Sequence, residues 1–165
     1  VVPEEIRAAG GVPRRERVGH AYMKKALADS NAIFGGELSG HFYFRDNYNC
    51  DSGGIAFATG VSVLSAADQP FSELIAPLRR YSHSGEINFQ VDDKQAKMKE
   101  VAETFSDADV DWLDGVTCQY EDWWCNVRPS NTEPLLRLSL EAKDEALMKE
   151  KIQELEDILG KPVDH

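Results

Sequence analysis

The chain has 165 residues, of which 42% are hydrophobic and 28% charged, as expected of a soluble protein with a packed core. Its formal net charge of −11 argues against a nucleic-acid partner, because nucleic acids select a basic surface. No apolar run reaches the length of a membrane span and no basic-then-apolar leader is found, so we expect a cytoplasmic protein that binds neither membranes nor nucleic acids.

Residues 1–78 alternate helical segments with short apolar segments, a pattern typical of an α/β domain with a mixed sheet and helices. In chain order, the predicted elements are a helix from Pro3 to Gly10, a strand at 12–18, a helix at 21–29, a strand at 32–34, a glycine-bracketed turn at 35–40, a strand at 41–45, a largely buried helix at 54–66 and a helix opened by Pro70.

The segment at residues 79–84 is polar and without periodicity, and we interpret it as a hinge between two domains. From residue 85 the pattern predicts a small α+β domain in the order β-α-β-β-β-α, with an antiparallel sheet and helices on one face. Its predicted strands cover 86–91, 108–113, 115–120, 123–127 and 135–140, and its predicted helices cover 92–105 and 143–159.

Three cysteines, Cys50, Cys118 and Cys125, form an odd set without short pairwise spacing. This fits neither a disulfide framework nor a metal knuckle, so we expect reduced thiols. No group of His, Cys and Asp residues has a spacing typical of metal ligands, and the sequence therefore predicts no metal site in this chain.

The first candidate binding loop is Arg-Pro-Ser-Asn-Thr-Glu-Pro at residues 128–134, between two predicted strands. The guanidinium of Arg128 presents a planar fork that matches phosphate oxygens two at a time. Ser130, Asn131 and Thr132 add neutral donors, and backbone N–H groups in such a turn can form an anion-binding nest. On composition alone, an ordinary polar turn is the competing interpretation.

The second candidate loop is Gly-Glu-Leu-Ser-Gly-His at residues 36–41. The carboxylate of Glu37 can accept hydrogen bonds from two adjacent sugar hydroxyls, and Ser39 can both donate and accept. The flanking glycines let backbone approach a ligand closely. A plain glycine turn is the alternative. His20 lies at a strand-to-helix junction, where a cap or hinge role is the simpler reading, and we interpret His41 and His83 as structural.

Taken in order, Gly19-His20, the loop at 36–41 and the loop at 128–134 resemble the α-D-phosphohexomutases, of the phosphomannomutase/phosphoglucomutase type. The resemblance covers essentially the whole chain. It implies that residues 1–78 are the later part of the third of four domains and that residues 85–165 are the fourth. By resemblance, His20, Glu37 and Ser39 contact the sugar, and Arg128, Ser130, Asn131 and Thr132 bind the phosphate.

The family's reaction, an isomerisation in carbohydrate metabolism, moves a phosphoryl group between O1 and O6 of a hexose through a bisphosphorylated intermediate. The resemblance implies a phosphohexose substrate, Mg²⁺ and a hexose bisphosphate primer for the full-length enzyme. The phosphoserine loop and the metal loop of the family are absent from this sequence. We therefore expect no catalytic residue and no metal ligand here, missing N-terminal domains as partners, and an inactive chain when it stands alone.

Two alternatives stay open at this point. One is a phosphoglucosamine mutase, although Leu38 between Glu37 and Ser39 favours the mannose/glucose group, where that position tends to be a small aliphatic residue or Met. The other is a stand-alone phosphosugar-binding module that never had catalytic domains. The sequence does not decide the preferred hexose or the oligomeric state.

Overall fold

The computed structural model describes residues 1–130 and 133–163, and its chain contacts divide into two compact units, Val1–Arg79 and Arg80–His165. Two of the predicted phosphate-binding residues, Asn131 and Thr132, lie outside the described residues. No helix in the described ranges is long and apolar enough to cross a bilayer.

The first unit combines helices with a small three-stranded sheet in the order β1-β2-β3. Its elements are α1 (Val2–Ala8), α2 (His20–Ser30), β1 (Phe34–Gly36), β2 (Phe42–Phe44), a 3-10 turn (Arg45–Asn47), β3 (Cys50–Asp51), α3 (Gly53–Ala66), α4 (Phe71–Ile75) and a 3-10 turn (Ala76–Leu78). The α/β class is confirmed. Both strand pairings are antiparallel where a mixed sheet was predicted, because short consecutive strands joined by tight connections pair in that way.

The strand predicted at residues 12–18 is wrong, since this stretch has no regular structure. Pro13 lacks a backbone donor, and four consecutive charged residues at 14–17 leave no apolar face to pack. The segment is instead held by local contacts. Arg14 pairs with Glu16 at 2.8 Å, and the Arg17 guanidinium lies 4.4 Å from the centre of the Tyr22 ring.

Helix α3 lies where the sequence predicts it, but it is not buried. The Ser52 hydroxyl caps its start by accepting a hydrogen bond from the Ile55 N–H at 3.2 Å. None of its residues is buried, and Phe57 is 74% exposed. The prediction of a largely buried helix was drawn from its apolar composition, and burial depends on what packs over the helix. Nothing in the described part of this unit covers it.

The second unit has the element order β-α-β-β-β-β-α, with one strand at each of the five predicted segments, so the predicted order β-α-β-β-β-α was one strand too short. The α+β class is confirmed. Its elements are β4 (Ser82–Gln90), α5 (Lys94–Thr104), β5 (Asp109–Asp111), β6 (Val116–Gln119), β7 (Trp123–Pro129), β8 (Leu135–Ala142) and α6 (Glu145–Leu159). The five strands form one antiparallel sheet in the order β4-β8-β7-β6-β5. Strand β4 begins at Ser82, so it already includes part of the segment interpreted as a hinge.

Alternation along β7 and β8 separates two faces of this sheet. Every second residue of β8 from Leu136 to Ala142 is buried, and both helices pack against that apolar face. Because strand side chains alternate, the intervening residues lie on the opposite face, which carries no helix in the described part of the unit. That face is polar and includes the following residues of β4, β7 and β8: Glu86, Asn88, Asn126, Arg128, Arg137 and Ser139.

The turn at Asp114-Gly115 joins β5 to β6. Gly115 has a φ of +68°, which favours glycine. It also allows a close approach, since a Cβ atom at this position would lie 2.2 Å from the Val127 carbonyl oxygen. The turn can therefore pack this closely against β7 only if the residue at position 115 has no side chain.

Candidate functional site

The loop at residues 36–41 is the hairpin between β1 and β2. The Glu37 N–H donates to the His41 carbonyl at 2.9 Å, and the Gly40 N–H donates to the Glu37 carbonyl at 3.0 Å. Gly40 adopts a φ of +86° to close the turn. These bonds present Leu38 and Ser39 at the exposed tip of the turn.

The Glu37 carboxylate is oriented by a buried partner. Tyr43 is fully buried, and its hydroxyl donates a hydrogen bond to Glu37 Oε1. Burial of the ring and the adjacent carboxylate raise the pKa of the Tyr43 hydroxyl well above its ordinary value, so this group stays a donor at neutral pH. Glu37 therefore presents a positioned acceptor, as recognition of sugar hydroxyls requires.

His20 lies at the first position of α2, beside the hairpin. Its ring centre is 4.4 Å from that of His41 and 5.6 Å from that of Tyr43, both in edge-on arrangements. The Asp51 carboxylate lies between the two histidines, with Oδ2 at 2.9 Å from His41 Nδ1 and Oδ1 at 3.9 Å from His20 Nδ1. The hydrogen bond from His41 lowers the pKa of Asp51 below its ordinary value.

The predicted sugar-contacting residues His20 and Glu37 are thus both linked to Tyr43. Pairing of Tyr43 with Asp51 across β2 and β3 completes this cluster. Sequence reasoning missed Asp51 and treated His41 as structural. The signal was weak, because the two-residue strand β3 shows no alternation and its register with β2 cannot be deduced from so short a segment.

In the second unit, Arg128 lies near the end of β7 on the polar face of the sheet. Its guanidinium binds Glu86 Oε2 at 3.1 Å, and its side chain is 15% exposed. Ser130 is buried; its N–H donates to the Leu135 carbonyl at 2.9 Å, and its hydroxyl accepts from the Glu133 N–H at 3.2 Å. These bonds join the described residues on the two sides of the loop at 128–134.

Arg137, on β8, was not predicted as a site residue. Its guanidinium binds Glu86 Oε1 at 2.9 Å and Glu133 Oε2 at 2.9 Å. Lys94 Nζ donates to the Glu133 carbonyl at 3.3 Å. Arg137 occupies a polar position of an alternating strand, which was visible in the sequence. Its partner Glu86 lies on β4, which neighbours β8 in the sheet but is far from it in the sequence.

Unused hydrogen-bonding capacity remains in this group, one donor on Arg137 and one acceptor on Asn88. Within the described residues, the buried Nε of Arg137 and the buried Oδ1 of Asn88, its neighbour across β4 and β8, have no hydrogen-bond partner. Buried polar atoms in native proteins are usually satisfied, so such a pair marks a place where a ligand or water is expected. Three cationic side chains face two carboxylates here, a local positive excess in a chain of net charge −11.

Comparisons with known proteins match both units to one family. Residues 1–81 match the family model described as phosphoglucomutase/phosphomannomutase, alpha/beta/alpha domain III, and residues 86–158 match that of the phosphoglucomutase/phosphomannomutase C-terminal domain. The chain belongs to the phosphoglucomutase/phosphomannomutase family. The resemblance inferred from the two loops is therefore confirmed.

Individual relatives carry the same family names. The chain is 42% identical over 161 residues to a phosphomannomutase of Methanocaldococcus jannaschii, covering 98% of this chain and 36% of that protein. It is 42% identical over 163 residues to a phosphomannomutase of Vibrio cholerae, and the match covers 94% of this chain and 35% of that protein. A crystal structure of a phosphoglucomutase/phosphomannomutase family protein from Burkholderia thailandensis superposes with a TM-score of 0.80 at 28% identity. The superposition covers 94% of this chain and 34% of that protein. The chain thus spans about a third of the length of these relatives.

Proposed function

We propose that the chain is the carboxy-terminal, substrate-binding part of a phosphomannomutase/phosphoglucomutase that interconverts hexose 1-phosphate and hexose 6-phosphate through a bisphosphate intermediate. The observation that carries the proposal is the Arg128–Glu86–Arg137 arrangement beside the loop at 128–134. It places two guanidinium groups, with donors to spare, on one polar face of the second unit.

In this proposal the second unit binds the phosphate group. Each guanidinium has five N–H donors; Glu86 accepts one hydrogen bond from Arg128 and forms an ion pair with Arg137 at 2.9 Å. Glu86 thereby holds the two forks before substrate arrives, so less binding energy is spent on ordering them. Ser130, Asn131 and Thr132 are proposed as further donors to the phosphate.

The first unit binds the sugar in this proposal. Glu37, fixed by Tyr43, accepts from sugar hydroxyls, while Ser39 and His20 add contacts from the turn and from the start of α2. These are general hydroxyl contacts. Such contacts suit a reaction in which the same sugar binds with either its 1- or its 6-position at the reacting centre.

The family generally depends on a metal ion, and Mg²⁺ with a hexose bisphosphate primer is the expected pair for the complete enzyme. The residues described here do not fit Mg²⁺. The single group of three metal-ligating side chains found among them is His20, His41 and Asp51, whose two nitrogen donors do not suit a cation that prefers oxygen. We therefore propose that the Mg²⁺ site and the phosphoryl-donating serine belong to preceding domains of the complete protein.

A direct assay tests the proposal. The purified chain, given Mg²⁺ and glucose 1,6-bisphosphate, should not interconvert glucose 1-phosphate and glucose 6-phosphate, whereas the complete protein should. Conversion by the chain alone would overturn this assignment of roles. The complete reading frame gives a second test. If the part that precedes this chain encodes neither a serine loop nor a metal loop, a stand-alone binding module is favoured.

The hexose is tested on the complete protein with the 1-phosphates of mannose, glucose and glucosamine. Leu38 and the phosphomannomutase names of the relatives support mannose and glucose. A kcat/KM that is highest for glucosamine 1-phosphate would identify the alternative, a phosphoglucosamine mutase.

A further inference from the structure

Three metal-ligating side chains that are separated in the sequence, His20, His41 and Asp51, meet in the first unit. One ligand atom of each lies within 4.8 Å of the other two. They come from the start of α2, the residue before β2 and strand β3. We propose that these three side chains bind a divalent transition-metal ion of the zinc type, through two imidazole nitrogens and the Asp51 carboxylate.

Two separations, between the Asp51 carboxylate and each histidine nitrogen, are close to those of a tetrahedral site. Bonds of about 2.1 Å in tetrahedral geometry place neighbouring ligand atoms about 3.4 Å apart. Asp51 Oδ2 lies 2.9 Å from His41 Nδ1, and the other oxygen of the same carboxylate, Oδ1, lies 3.9 Å from His20 Nδ1. Both separations are within about half an ångström of the tetrahedral value. The three side chains are partly exposed, so small rotations can adjust them.

The backbone beneath these side chains is fixed. Asp51 pairs in register with Tyr43, which is fully buried and hydrogen-bonded to Glu37. His20 packs edge-on against the Tyr43 ring. The ligands are therefore attached to a common rigid support, which reduces the cost of assembling the site.

The donor set determines which ion is expected. Imidazole nitrogen suits Zn²⁺, Co²⁺, Ni²⁺ and Cu²⁺, whereas Mg²⁺ prefers oxygen ligands and keeps its waters. Three protein ligands with exposed surroundings leave a fourth position open, as in zinc sites that accept an exogenous oxygen ligand. The site is thus distinct in chemistry from the Mg²⁺ site expected of the family.

The proposal is tested on the isolated chain after removal of metal with a chelator. Titration with Co²⁺ should produce visible absorption bands of a four-coordinate ion, which Zn²⁺ should abolish and excess Mg²⁺ should not. His20→Gln and Asp51→Asn should each weaken Zn²⁺ binding, measured by calorimetry, at least about 100-fold, because loss of a ligand costs more than loss of its hydrogen-bonded neighbour. The control His83→Gln, in the second unit, should bind as the unaltered chain does.

Circular dichroism checks that the variants remain folded. If one does not, nitrogen NMR of the unaltered chain decides instead, since Zn²⁺ should shift the imidazole signals of His20 and His41 and leave those of His83 unchanged. The proposal is overturned if Co²⁺ gives no such bands, if folded variants bind Zn²⁺ as tightly as the unaltered chain, or if Mg²⁺ displaces Zn²⁺. None of these outcomes depends on mutase activity.

Discussion

Arg128 and Arg137 lie directly opposite each other on β7 and β8, and both bind the carboxylate of Glu86. Two like charges at facing strand positions would repel each other. The shared carboxylate from β4 offsets that repulsion and holds both guanidinium groups on the polar face of the sheet. The phosphate site proposed for the second unit depends on this relationship.

In the complete protein, Arg128→Ala should weaken binding of the hexose phosphate. A charge-assisted contact contributes about 1.5–3 kcal/mol, which corresponds to about a 10- to 150-fold loss of affinity. Arg128→Lys should recover only part of it, because the planar fork is lost. Arg14→Ala, which removes an exposed arginine of the first unit, is the matched control. Unchanged substrate kinetics for Arg128→Ala would mean that the loop has been misassigned.

Glu86→Gln should lower the free energy of unfolding of the second unit by about 1–3 kcal/mol, because two partly buried guanidinium groups lose their common anion. Urea denaturation followed by circular dichroism measures this loss. Glu100→Gln removes one partner of the exposed Lys97–Glu100 pair and should cost less than about 1 kcal/mol. Equal effects of the two substitutions would show that Glu86 does not organise the arginine pair.

Gly115→Ala should destabilise the second unit by about 2–4 kcal/mol, since it combines a positive φ with a Cβ that overlaps the Val127 carbonyl. Gly85→Ala is the control, because Gly85 also has a positive φ, +73°, but open space around its Cα. Backbone strain alone should cost about 1–2 kcal/mol there. The prediction is contradicted if thermal unfolding gives the two variants the same stability.

The exposed apolar face of α3 should bind a fluorescent hydrophobic dye. Phe57 and Val61, four residues apart and so on one face of this helix, are 74% and 43% exposed, and patches of this kind mark surfaces that another protein segment covers. Phe57→Ser with Val61→Ser should reduce dye fluorescence with little loss of stability. Val12→Ser, at an exposed position outside the helix, should leave the fluorescence unchanged. Absence of dye binding to the unaltered chain would show that the face is not available.

Local patterns were sufficient to predict most of the second unit. The alternation of residues 135–140 identified β8. The helix predicted at 92–105 is α5, which Asp93 caps, its carboxylate accepting from the Ala96 N–H at 3.0 Å. The loops at 36–41 and 128–134 were recognised because their chemistry is contained in a few consecutive residues. The family assignment followed from them.

What the sequence did not reveal depends on contacts between distant residues. The pairing of Arg137 with Glu86 joins β8 to β4, and the approach of Asp51 to His41 depends on the register of two very short strands. The exposure of α3 could not be read from its composition, because an apolar helix indicates that burial is favourable without specifying a partner.

Titration of the isotope-labelled chain with mannose 1-phosphate, with free mannose as the control ligand, measures whether this face of the sheet binds the substrate phosphate. We expect weak, saturable shifts of the guanidinium signals of Arg128 and Arg137 with mannose 1-phosphate and none with mannose. In Arg128→Ala the shift of the Arg137 signal should be lost. Signals that stay unchanged with mannose 1-phosphate, or that shift equally in Arg128→Ala, would contradict the proposal that this face of the sheet binds the substrate phosphate.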